Sequence, residues 1–216
     1  MGGLDDLAAD VARIGESARA VLDERHEARE TALRVSRKVI QACAASIRAV
    51  HREEFAAASR LADEARAHLD EGEEAVVDHP DLRYAGYYTD AAKEYAEARV
   101  TLALVRGDRV PTPEDVGVDV APYLNGLAEA ASELRRRMLD LMRRGELDQG
   151  EALLASMDEV YTLLVTMDYP DAVSGGLRRR TDALRAVLER TRGDFTTTIL
   201  QQRLRATIEG RVPERP

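Results

Sequence analysis

A chain of 216 residues, 44% apolar and 33% charged, is long and apolar enough for one folded domain, which excludes a wholly disordered polymer. Aromatics make up only 4% and Trp is absent, so the core is aliphatic, which suits helix-on-helix packing. A net charge of −9 speaks against a uniformly basic surface, and the single cysteine, Cys43, excludes an internal disulfide. No run approaches the ~18 uninterrupted apolar residues of a membrane span. The acidic start, Met1 to Asp10, lacks the basic and apolar segments of a signal peptide, so the expected location is the cytoplasm.

Helical periodicity runs through the chain and no segment alternates as a strand does. The spacing predicts a first helix over Leu4–His26. A second covers Ala28–Val50, with Leu33, Ile40, Cys43, Ile47 and Val50 on one stripe. A third runs from Glu53 to Leu69 and leads into the acidic stretch Asp70–Asp78, before Pro80 breaks the chain. The fourth, Thr89–Arg106, carries Tyr88, Ala91, Tyr95, Ala98, Leu102 and Val105 on its stripe and stops at Gly107. After the proline-containing loop 111–122 comes the most regular helix, Tyr123–Arg144, with Leu124, Leu127, Ala131, Leu134, Met138 and Leu141 at 3,4 spacing and Gly145 at its end. A sixth spans Asp148–Met167 and closes at Pro170. A seventh spans Gly176–Thr191, with helical character continuing over Phe195–Ile208. The expectation is one all-α domain over 1–210, a seven-helix bundle, with a tail over 211–216.

Charge is unevenly spread. Residues 53–81 hold ten acids and two bases, whereas 25–52 hold seven Lys/Arg and two acids, and 178–211 nine Arg and four acids. Because screening makes charge local over roughly 8 Å, an acidic protein still presents basic faces. On the second helix Arg34, Arg37, Gln41, Arg48 and Arg52 keep to one side. They either track a phosphate backbone or pair with the acidic third helix. The cluster Arg178–Arg180 sits near a helix's positive end, which favours an acidic or phosphate partner, and an intersubunit salt bridge accounts for it equally well.

Two carboxylate pairs stand out. Glu94 and Glu97 are three apart on the fourth helix, and Glu129 and Glu133 four apart on the fifth, so each pair shares a helix face. Convergence of the two helices would bring four carboxylates together, a donor set for Mg²⁺. With each stripe taken as the buried seam, Glu97, Glu129 and Glu133 point away from it and Glu94 flanks it, which equally describes a solvated face. His26, His51, His68 and His79 lack paired metal-ligand spacing, and Gly175-Gly176 lacks the Lys-Ser/Thr of a phosphate loop.

The segment Tyr87–Ala98 (YYTDAAKEYAEA) resembles the translin family. So do Tyr123–Glu129 running into Glu133–Arg136, the stretch Tyr169–Val173, and Gly176–Asp182 followed by Glu189–Asp194; Ser36-Arg37 and His51-Arg52 fit as well. The likeness covers residues 25–195. It implies a helical bundle assembling into a closed, hollow homo-oligomer, often an octamer, that binds single-stranded RNA or DNA. One branch, translin-associated factor X, is a Mg²⁺-dependent endoribonuclease with acidic residues facing the cavity. Glu94 and Glu97 match its catalytic Glu-x-x-Glu pair and Glu133 a further Glu, while Glu129 stands where that branch has the shorter Asp. The resemblance thus implies that Glu94, Glu97 and Glu129 hold Mg²⁺ with Glu133 in support, and that Arg34, Arg37, Arg48, Arg52 and Arg136 hold phosphates. Two rivals are a binding module of the same fold without chemistry, and a helical scaffold without nucleic-acid affinity.

Overall fold

The computed structural model describes residues 2–210. Among these residues there is no strand, and nine helices follow in order: α1 (Gly2–His51), α2 (Phe55–Val76), α3 (Pro80–Arg83), α4 (Gly86–Arg106), α5 (Pro113–Val116), α6 (Val120–Arg144), α7 (Leu147–Val165), α8 (Asp171–Ser174) and α9 (Leu177–Glu209). The all-α expectation holds. None of these helices is long and apolar enough to cross a membrane. The expected tail, 211–216, lies outside the described residues.

The short helices α3, α5 and α8 fall in segments read as turns or loop, α4 and α6 each begin three residues early, and the larger differences from the periodicity reading are three. The helices expected over 4–26 and 28–50 are one 50-residue helix, α1. Neither Pro nor Gly stands at the supposed junction, and the shift in apolar phase there reflects a change in what each half packs against. At the other end, α9 runs through Gly193, where an added Cβ would meet nothing within 4 Å. One exposed Gly costs a helix about 1 kcal/mol relative to Ala, and the flanking burial of Leu188 and Phe195 offsets it. The acidic stretch joins α2 because Leu69, Gly72 and Val76 keep facing the core. Gly107 and Gly145 do end α4 and α6 in the left-handed conformation, with φ of 72° and 78°.

α1 and α2 form a helical hairpin, α4 packs on both, and α6 joins α4 to the α7/α9 pair. One core cluster links these elements, from Val39 and Cys43 through Tyr95 and Ala98 to Leu134, Met138, Leu184 and Phe195. The buried face of α1 is Ala32, Val35, Val39, Cys43 and Val50, so Ile40 sits at its exposed edge instead of on the buried stripe. α4 is central and buried nearly all round. Its many alanines let neighbours close in. At Gly126 of α6 an added Cβ would lie 2.6 Å from the Lys93 carbonyl oxygen and 2.9 Å from the Glu97 nitrogen. Only Gly permits this approach of the two backbones.

The N-terminal half of α1 extends from this core. There Leu7, Val11, Ile14, Val21 and Leu22 are all exposed. Their 4,3 spacing makes a continuous apolar seam of the coiled-coil kind.

Candidate functional site

The Gly126 crossing brings the two carboxylate pairs together. Oxygens of Glu94, Glu97 and Glu129 all lie within 4.8 Å of one another. Contrary to the seam argument, Glu97 is buried, at 7% exposure, because α4 has no solvent face at that level. It accepts no hydrogen bond or ion pair among the described residues. Burial, with Glu94 and Glu129 close by, pushes its carboxyl up to about 9. The same surroundings, burial first and then Glu94 and Glu97, push the Cys43 thiol well up, which makes it an inert core residue.

Glu129 is in the opposite situation. Burial raises its carboxyl, but Lys93 and Arg180 more than offset this and hold it below the usual range. Lys93 Nζ bonds both Glu129 and, at 2.8 Å, Glu94. Arg180 Nε donates to Glu129 Oε1 at 2.8 Å. Burial likewise depresses the Lys93 ammonium, and its bonds to Glu129 and Glu94 outweigh that, so it stays charged. Glu133 is not in the trio. It lies one turn along α6, where its Oε2 meets His51 Nε2 of α1 at 2.8 Å.

The donor set suits a hard divalent cation, which takes carboxylate oxygens. A dication beside Glu97 would supply the positive charge that this carboxyl lacks, and Lys93 already marks the position as one that attracts cations.

The five arginines divide. Arg34 is paired with Glu71 of α2 at 2.6 Å, and Arg52 with Glu54 at 2.9 and 2.7 Å, so each already has an acidic neighbour. Arg37, Arg48 and Arg136 are exposed and have no ion-pair partner among the described residues. At roughly 100° per residue, Arg37 and Arg48 share one side of α1, about opposite its buried stripe. By the same reckoning Arg136 continues the Glu129–Glu133 row of α6. In the Arg178–Arg180 cluster, Arg178 pairs with Asp168 at 2.7 Å and Arg180 with Glu129, both within the chain.

Three site residues leave little trace in the sequence. Lys93 carries a faint signal, as one of two lysines and the one set in an apolar helix. His51 lacks metal-ligand spacing, and nothing local reveals its reach to Glu133. The position of Arg180 near a helix start is visible, but its reach to α6 is not. Beside the carboxylates a cavity of about 390 Å³ opens, lined in part by Lys93, Asn125 and Arg180.

The chain is 30% identical over 194 residues to an uncharacterized protein of Methanocaldococcus jannaschii, covering 87% of this chain and 84% of that one. Among solved structures it is similar to AfC3PO, at 28% identity and a TM-score of 0.78 over 86% of this chain, both in the crystal structure (97% of that chain) and in a complex with duplex RNA (96%). Apo-NeC3PO shares the fold at 19% identity, with a TM-score of 0.70 over 92% of this chain and 98% of that one. No family model matches.

Proposed function

The chain belongs to the translin family, and on that premise we propose that it is a nucleic-acid-binding homo-oligomer with Mg²⁺-dependent endoribonuclease activity. The observation that carries the reading is the convergence of Glu94, Glu97 and Glu129, whose oxygens all lie within 4.8 Å of one another. Those three carboxylates would hold the ion. When bound it neutralises charge on a phosphodiester and lowers the pKa of a water. Glu133, outside the ligand trio and steadied by His51, accepts the proton of the attacking water. Arg37, Arg48 and Arg136 bind phosphates and fix the strand's register, a sequence-independent contact that weakens steeply with salt. AfC3PO has been captured with duplex RNA, and single-stranded RNA or DNA is the substrate class proposed for this chain. Self-association draws support from the exposed seam of α1, an apolar surface that a second copy would cover. A closed octamer is the proposed form.

The test is incubation of end-labelled single-stranded RNA with the protein in Mg²⁺ or in chelator, with products resolved on a gel. Cleavage in Mg²⁺ alone, lost in Glu97→Ala with RNA binding retained, is the expected result. Intact RNA in both lanes sinks the nuclease. One observation favours the second reading, a binding module without chemistry: the Lys93 ammonium already bridges Glu94 and Glu129. That reading predicts RNA affinity indifferent to chelator.

A further inference from the structure

We propose that the cavity beside the carboxylate trio is a nucleotide subsite, which takes one nucleotide of the bound strand with its phosphate against Lys93 and Arg180 and its base against Tyr84, Pro122 and Val173. The inference rests on the nucleic-acid-binding reading above but not on cleavage.

The volume, about 390 Å³, falls in the range of small-molecule sites, ~300–1,000 Å³. Its lining is divided by chemistry. Lys93 and Arg180, joined through Glu129, supply its cations, Tyr84, Pro122 and Val173 its aromatic and apolar surface, and Asp90 and Asp119 its acids. A nucleotide is divided in the same way.

The cationic pair is built in advance. Both amide hydrogens of Asn125 are spent, on the Ala121 and Ser174 carbonyls at 2.7 Å each. Its Oδ1 is thereby turned to accept from Arg180 Nη1 at 3.1 Å. Arg180 is thus held by two fixed groups, Asn125 and Glu129. Both cations serve the cavity and the trio at once, since Glu129 is their shared partner and Lys93 adds Glu94. Lys93 Nζ keeps a third N–H beyond its bonds to Glu94 and Glu129, and Arg180 Nη2 makes no hydrogen bond among the described residues, so each cation retains a donor for a phosphate oxygen.

The apolar surface is open to a partner. Tyr84 is 67% and Val173 65% exposed, and an exposed ring is a stacking surface for any base. Asp90 lines the same space and has no ion-pair partner among the described residues. A carboxylate there opposes a bare inorganic anion and accepts hydrogen bonds from a sugar hydroxyl or a base edge. The combination selects a nucleotide over phosphate alone.

The experiment is titration of the full chain, in excess chelator, with 5′-AMP, 5′-UMP and inorganic phosphate by calorimetry. Expected is saturable binding of a mononucleotide, weakened about tenfold in Tyr84→Ala, which removes the stacking ring, and also weakened in Lys93→Met. Phosphate binds more weakly than either mononucleotide. Tyr84 is exposed, so its variant folds even if Lys93→Met does not. No saturable binding, binding indifferent to Tyr84→Ala and Val173→Asp, or phosphate binding as tightly as the mononucleotides overturns the proposal. RNA cleavage without mononucleotide binding removes the subsite and leaves the nuclease; Tyr84-dependent binding without cleavage does the reverse.

Discussion

The imidazole of His51, 3% exposed at the end of α1, meets the Glu133 carboxylate of α6 at 2.8 Å. With the proton on Nε2, the imidazole donates and a Glu133 oxygen accepts. Glu133 is thereby fixed by an element other than its own helix. Loss of such an outer partner usually costs about 10–100-fold in activity or metal affinity. His51→Ala is expected to slow RNA cleavage by roughly tenfold or more while leaving RNA binding unchanged. His51→Gln, which keeps a donor, is expected to restore part of the rate. Equal cleavage by wild type and His51→Ala at saturating RNA would remove His51 from the site.

Glu97 makes the fold pH-sensitive. Its carboxyl is pushed up to about 9 by burial and by Glu94 and Glu129, against an ordinary value of about 4.3 in the unfolded chain. Between these values the folded state holds one proton more than the unfolded, so stability falls as pH rises. The contribution is fully present below the unfolded value and is lost by the time pH has risen through the folded one. In chelator, Tm should decline from pH 5 to pH 9, and Glu97→Gln should flatten that decline. At pH 8 the Gln variant should be more stable by about 1–3 kcal/mol, while losing cleavage. A parallel decline in both proteins would show that other groups set the slope.

Gly126→Ala is expected to destabilise by about 1–3 kcal/mol through overpacking, because its Cβ would collide with the backbone of α4 at Lys93 and Glu97. The displacement separates Glu129 from Glu94 and Glu97, so metal affinity should fall together with stability. Isothermal titration with Mg²⁺ or Mn²⁺ on the folded variant reads this directly. A variant of wild-type stability and affinity would mean that the two helices part without cost.

The division among the arginines is measurable. Replacing Arg37 and Arg48 by Ala should weaken RNA binding and lower the slope of log K against log salt by about one for each phosphate no longer held. Arg34→Ala should do less, since Glu71 already neutralises that guanidinium. Fluorescence anisotropy over a salt series compares them, and an equal effect of all three would erase the distinction.

Ile14→Glu places a charge in the middle of the exposed seam of α1. Sedimentation or light scattering should then report smaller species than wild type at equal concentration. An unchanged mass would mean that assembly uses another face.

The residues of the carboxylate trio are legible in the sequence as pairs at helical spacing, yet their burial is not. A helical stripe picks out one face of α4 and passes over Ala92, Ala96 and Ala103. Those small residues are what bury α4 on every side, and a helix without a solvent face has no outward direction to assign. Lys93 and Arg180 meet Glu129 across 36 and 51 positions of chain. Pairings of that separation leave no local periodicity. The merged α1 is misread for the reverse reason, since a real change in periodicity occurs within a helix that nothing interrupts.

Because α1 is one unbroken helix, it acts as a ruler about 75 Å long at ~1.5 Å per residue. Its seam and its His51 end hold one fixed rotational phase. A single residue inserted between Leu22 and Glu27 would turn the seam by roughly 100° about the helix axis relative to Glu133 and lift it by ~1.5 Å. An insertion of seven would advance it by about 10 Å with almost no rotation. Lengthening this segment by whole heptads therefore changes how far apart neighbouring sites sit, whereas any other length changes which way they face.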